Sequence, residues 1–236
     1  MEQKYDQYTA EDFAVWNKLF VRQKGNLKDK ACAEYLTCLE TLSPVLNGES
    51  IPKFSALNEV LLKTTGWQIT VVPGLIPVDQ FFEFLSQKRF SASTWLRSMS
   101  QLDYLEEPDM FHDIFGHIPL LLESKYTELM ELIGKLGVKY KDQPEIILKL
   151  QRLYWFSIEF GLVQNGKTVI YGAGTISSYG ETSHVVSDKI TVLPFNLKMI
   201  FENDFINSEI QNKYYAVKSL DQLYQSIDDL ETELLV

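Results

Sequence analysis

Two of the chain's three histidines stand five residues apart, in Glu107-Pro-Asp-Met-Phe-His112-Asp-Ile-Phe-Gly-His117-Ile-Pro119. That spacing constrains the backbone more than any other feature. A regular α-helix turns about 100° per residue, so side chains five apart diverge by about 140°. For both imidazoles to reach one ion, the chain must leave helical geometry near the second histidine. Gly116 and Pro119 stand where that departure is needed, because Gly frees the backbone and Pro cannot continue a helix. Neutral imidazole is the commonest metal ligand among side chains. Two imidazoles and one carboxylate leave open coordination positions, the donor set of non-haem Fe(II) oxygenases.

The carboxylate candidate is Glu159, in the aromatic-rich run Tyr154-Trp-Phe-Ser-Ile-Glu159-Phe-Gly161. A carboxylate is almost never fully buried unless it is paired or bound to a metal. The spacing excludes the zinc-protease pattern, which needs histidines four apart and a Glu beside the first. Structural zinc fits poorly too, since such sites are usually closed by four ligands and rich in cysteine. Two plainer readings stay open: both histidines as hydrogen-bonded core residues, and Glu159 as a surface carboxylate. His184, which follows Glu181-Thr-Ser, reads as a pocket residue rather than a ligand.

Composition narrows the class of partner. Hydrophobic residues make up 45% and aromatics 13% of 236 residues, enough for a globular core. Lys+Arg 22 against Asp+Glu 32 leaves a net charge of -10. An acidic surface argues against nucleic acid and anionic membranes as partners, and says nothing against a small zwitterionic substrate. Cys32 and Cys38 form neither a disulfide framework nor a zinc site; a reduced pair fits the cytoplasm. The opening MEQKYDQYTAEDF has no signal-peptide pattern, and no apolar run approaches the ~20 residues that span a bilayer. The expectation is a soluble, cytoplasmic protein.

No repeat or long linker divides the chain, so residues 1–236 read as a single domain, mainly α with a few short strands. Thr9 caps a helix from about Ala10 to Arg22 that Gly25-Asn26 should end; Asp29 opens a second, which Pro44 stops. A third covers about Phe54 to Lys63. Trp67 to Val72 alternates as a short strand, followed by a turn at Pro73-Gly74 and a helix over about 78–88. Helices are expected near 108–116, 119–135 and 144–162, and a brief strand at Thr168–Ile170. Gly172 to Gly180 reads as an irregular loop, and Leu220 to Leu234 is amphipathic.

Three long segments occur in order: Asp103 to Pro119, Leu153 to Gly161, and Tyr171-Gly-Ala-Gly-Thr-Ile-Ser-Ser-Tyr-Gly-Glu181. On these residues the chain resembles the pterin-dependent aromatic amino acid hydroxylases, and most closely their bacterial phenylalanine 4-hydroxylase branch. Weaker similarity extends the likeness over about residues 60–225. The resemblance implies that family's catalytic-domain fold and an iron monooxygenase using O2 and tetrahydrobiopterin, with phenylalanine as substrate and tryptophan as the alternative. It implies Fe(II) held by His112, His117 and Glu159. Arg97 falls where the family clamps the substrate carboxylate, a task that suits a planar guanidinium. Pro108 and Trp155 match residues lining the ring pocket. Gly174, Ser177 and Glu181 match others around the substrate, Ser177 also lying near a ligand histidine. Phe81 matches the aromatic that stacks on the pterin, with Gly74, Leu75 and Ile76 offering backbone groups, and Asp113 and Tyr154 nearby.

Departures from the family pattern are Leu105 for a hydroxyl residue of animal members, Asn212 for proline, and His184 for tyrosine. None is a ligand, and together they leave the ring preference open. The chain lacks the family's regulatory domain and tetramerisation helix, so a bare, monomeric catalytic domain is expected. Away from the resemblance, a metal-dependent hydrolase and a catalytically silent binding protein remain as rival readings of the same triad.

Overall fold

A computed structural model describes residues 1–236 apart from Tyr104, Glu106, Asp188, Asn207 and Ser208. Tyr104 and Glu106 belong to the first of the three motif segments, so that part of it lies outside the described residues. In chain order come α1 (Ala10–Leu27), α2 (Ala33–Thr41), α3 (Phe54–Thr64), β1 (Gln68–Val71), α4 (Val78–Ser86) and β2 (Arg89–Ala92). Then follow α5 (Ser124–Lys139), α6 (Pro144–Tyr154), β3 (Leu162–Asn165), β4 (Lys167–Ile170), α7 (Ala173–Ser177) and α8 (Tyr179–Val185). The chain closes with β5 (Thr191–Pro194), α9 (Leu197–Glu202), β6 (Lys213–Val217), α10 (Leu220–Gln225) and α11 (Leu230–Leu234). The fold is mainly helical. Among the described residues no helix is long and apolar enough to cross a membrane.

Thr9 starts α1 with a reciprocal cap: Asp12 N–H donates to its hydroxyl, and the Thr9 N–H donates to the Asp12 carboxylate at 2.7 Å. The helix then runs past Gly25 and Asn26, where the sequence reading ends it. Gln23 and Leu27 are buried on its inner face, and that packing outweighs the cost of about 1 kcal/mol for a helical Gly. Conversely α2 begins four residues after Asp29. The intervening chain is drawn to β4: Ile170 N–H donates to Lys30 O and Cys32 N–H donates to Ile170 O, both at 2.8 Å.

β1 and β2 pair in parallel, with α4 as the crossover between them. A second sheet has the order β4-β3-β6-β5: β3 and β4 are antiparallel, and β6 is parallel to both β3 and β5. The expected loop at 172–180 is instead α7 and the start of α8. Residues 173–177 are all buried, so their amides and carbonyls need partners within the protein, and helical turns supply them. The expected helix over 119–135 divides into a 3-10 turn, Pro119–Leu122, and α5. The amphipathic tail forms α10 and α11, burying Leu220, Leu223, Leu230 and Leu234. One connected apolar cluster runs from Val15 to Leu234.

Candidate metal centre

Both segments that carry the candidate ligands are π turns. One spans His112–His117 and the other Trp155–Glu159. A π turn closes on a hydrogen bond five residues long rather than four; in the second, Phe160 N–H donates to Trp155 O at 3.0 Å. The wider turn brings side chains five apart onto one face. The departure from the α-helix therefore spans both histidines instead of lying near the second alone. Gly116 serves a different need: a Cβ there would sit 2.9 Å from the Ala173 carbonyl, so its lack of a side chain lets α7 close against the turn.

The three donors converge. His112 Nε2 and His117 Nε2 are 3.3 Å apart, and Glu159 places Oε1 3.2 Å from His117 Nε2 and Oε2 3.7 Å from His112 Nε2. Two ligand atoms at right angles about a metal, each about 2.1 Å from it, lie about 3 Å apart. The donors thus stand at the spacing that one ion requires, and their types suit iron. Among the described residues this is the one cluster of its kind, and His184 is not in it; that ring pairs with Asn212 Oδ1 at 3.2 Å.

The surroundings set the charges. Burial of the imidazole holds His112 down at about 4, against the opposing pull of Glu159, so the ring is neutral and free to ligate at neutral pH. Burial pushes the Glu159 carboxyl up, yet the two imidazoles and the Gly174 N–H leave it below its ordinary value. His112 Nδ1 meets the Ser177 hydroxyl at 2.9 Å, and Ser177 Oγ in turn donates to Ala173 O at 2.8 Å. The Phe90 ring on β2 lies 4.7 Å from the His117 ring, tilted by 36°. Gly174 packs on Glu159; a Cβ there would lie 3.2 Å from Oε2.

Arg97 is buried, and Asp109, fully buried, holds it. Asp109 also accepts the His112 N–H at 3.2 Å, which ties the arginine to the metal turn. Asp113 accepts the Ser93 N–H at 2.7 Å; burial of its carboxyl end pushes it up to about 7. Phe81 projects from α4 and meets Tyr154 edge-on, ring centroids 5.0 Å apart. Gly74, Leu75 and Ile76 form an open turn before α4, with Leu75 exposed. Pro108 is half-buried, as is Trp155, which stacks on Phe205 at 4.6 Å. Glu181 is buried with both oxygens engaged, one by Gln211 N–H at 3.0 Å and one by the Tyr214 hydroxyl at 2.7 Å.

Asp109, Phe90, Phe205 and Gln211 escaped the sequence reading. Asp109 carried a signal, since an acid between Pro108 and Met110 in an apolar run needs a buried partner. The other three are ordinary core or loop residues until the chain folds.

Fold and donor set together define a mononuclear metal enzyme of the two-histidine, one-carboxylate type. Residues 4–234 match the biopterin-dependent aromatic amino acid hydroxylases, and the chain belongs to that family. The match begins well before residue 60, where the motif similarity starts, because α1 and α2 pack on the metal turn: the Tyr35 hydroxyl donates to Phe115 O at 2.7 Å. The chain is 41% identical to the phenylalanine-4-hydroxylases of Ralstonia nicotianae and Chromobacterium violaceum, in each case over 96% of its length and over 72% and 76% of theirs. Among solved structures it resembles C. violaceum phenylalanine hydroxylase with bound iron(III) and 7,8-dihydrobiopterin, at a TM-score of 0.92 and 41% identity, covering 100% of this chain and 85% of that one. The iron- and phenylalanine-bound form of the same enzyme gives a TM-score of 0.91 at 39% identity, with the same coverage.

Proposed function

We propose that this chain is a phenylalanine 4-monooxygenase, converting L-phenylalanine to L-tyrosine with O2, Fe(II) and tetrahydrobiopterin. The observation that carries the reading is the convergence of His112, His117 and Glu159, in a chain 39–41% identical to iron-bearing phenylalanine hydroxylases. When bound, iron and the tetrahydropterin supply the oxidising chemistry that places one atom of O2 on the substrate ring.

The protein's own part is placement. His112 and His117 donate through Nε2, and Ser177 fixes the His112 ring through Nδ1. Arg97 has five N–H donors; it gives Nε and one Nη2 hydrogen to Asp109 and one Nη1 hydrogen to Leu102 O at 3.4 Å, and those that remain receive the substrate carboxylate. Pro108, Trp155 and Gly174 line the space for the aromatic ring, and Glu181 supports its polar wall. Phe81 offers its face to the pterin, the turn at Gly74, Leu75 and Ile76 offers backbone groups, and Asp113 and Tyr154 border it. Burial pushes the Tyr154 phenol well above its ordinary value, so it stays neutral. Phe90 packs against the His117 ring, which shields that side of the ligand.

The same reading makes residues 1–236 a single catalytic domain, acting as a cytoplasmic monomer. The test is product analysis of the Fe(II)-loaded protein with phenylalanine, O2 and a synthetic tetrahydropterin, with pterin omitted as control. Tyrosine formed only with pterin is the expected result. No tyrosine at one iron per chain overturns the reading; product from tryptophan alone would then identify the other ring preference. Light scattering should give a mass near 27.3 kDa.

A further inference from the structure

Trp155 opens the π turn that ends at Glu159, and its indole is constrained from several directions. Phe205 stacks on it with planes 20° apart, and Phe160 lies at 4.7 Å, tilted by 41°. The indole Nε1–H donates to Gln211 Oε1 at 3.1 Å. Gln211 is itself buried, 7% exposed. Its Nε2 donates to Ile206 O at 2.7 Å and to Glu209 O at 3.2 Å. An indole N–H only donates and a backbone carbonyl only accepts, so the partners admit one orientation of the amide. The Gln211 backbone N–H is held in turn by Glu181 on α8. One side chain therefore joins the turn bearing a metal ligand to the segment bearing Phe205.

We propose that Gln211 is a positioning residue for ring selection: by fixing the Trp155 indole and the Phe205 wall, it favours the single ring of phenylalanine over the indole of tryptophan. The inference rests on the proposed hydroxylase reading and deepens it. The physical reason is the cost of leaving a partly buried donor unpaired. Without Gln211, the Trp155 N–H satisfies itself only by turning, and the Ile206 and Glu209 carbonyls lose the amide that gathers them. A wall free to move accommodates a larger ring.

Two readouts test this. In competition between equimolar phenylalanine and tryptophan, Gln211→Leu should lower the phenylalanine-to-tryptophan ratio of kcat/KM about tenfold, equivalent to about 1.4 kcal/mol. Most of the change should lie in the phenylalanine KM, and the effect should shrink in a Trp155→Phe background, where the donor is already gone. Independently, the Trp155 indole N–H in the wild-type protein, identified by its loss in Trp155→Phe, should be protected from hydrogen exchange, and Gln211→Leu should remove that protection. An unchanged ratio in Gln211→Leu, or free exchange of the wild-type indole, overturns the proposal. Should Gln211→Leu fail to fold, the wild-type exchange measurement still decides. A wild-type protein making no tyrosine would defeat the proposed reaction, and the indole signal would report the positioning separately.

Discussion

Asp109 grips Arg97 with a two-point fork, Nε to Oδ2 and Nη2 to Oδ1, each at 2.8 Å. The Arg97 N–H adds a third contact, to Oδ2 at 3.1 Å. Both side chains are almost completely withdrawn from water, 9% and 0% exposed. A charge so placed depends on its partner, because removing one member of a buried pair leaves the other uncompensated, at about 3–5 kcal/mol. Asp109→Asn should therefore lower unfolding free energy by that order in urea titration. Arg97→Lys should instead raise the KM for phenylalanine more than it lowers kcat, since the ammonium cannot reproduce the planar fork. An unchanged KM would rule out carboxylate clamping by Arg97.

The metal ligands should separate chemistry from folding. His117→Ala and Glu159→Ala are expected to lose iron and all turnover while far-ultraviolet circular dichroism stays near wild type. Glu159 sits at the end of its π turn, where the chain leaves helical geometry, so its loss leaves the turn's backbone bonding in place. Metal content by elemental analysis beside product formation checks this; wild-type-like activity in either variant would sink the ligand assignment.

Ser177 acts through His112 rather than on the ion. Its hydroxyl stands 2.9 Å from Nδ1 and fixes the ring that presents Nε2. Ser177→Ala should weaken iron binding by about 10–100-fold, the usual range for loss of such a support. Competition with a chelator of known affinity measures it, and an affinity equal to wild type would reject the orienting role.

The two thiols predict an alkaline limit to stability. Burial pushes both Cys32 and Cys38 up to about 12 from an ordinary 9.0. The folded state then keeps protons that the unfolded chain releases, so this contribution is complete below pH 9 and is lost as pH rises from 9 toward 12. By pH 10 Cys32 should account for lost stability on the order of 1 kcal/mol, and Cys38 for less because solvent screens it more. Urea unfolding at pH 8 and pH 10 should show the decline, reduced by Cys32→Ser, whose hydroxyl does not titrate in that range. A flat profile would contradict burial of the thiols.

The sequence by itself determined the local chemistry of this protein. The Thr9 and Asp12 cap, the end of α3 before Gly66 and the short strand before Pro73 follow from residues within a few positions of one another. The donor types and their spacing were legible for the same reason, and the three motif segments carried the family. What only the tertiary structure decided are choices paid in long-range packing. Gly25 is helical because Leu27 is buried, and residues 173–177 are helical because they are buried on every side. The histidine run became a π turn where α7 presses on Gly116. Asp109 with Arg97, and Gln211 with Trp155, are twelve and fifty-six residues apart in sequence. Such partners are set by the desolvation cost of leaving either group unpaired, and that cost arises only once the chain has closed around them.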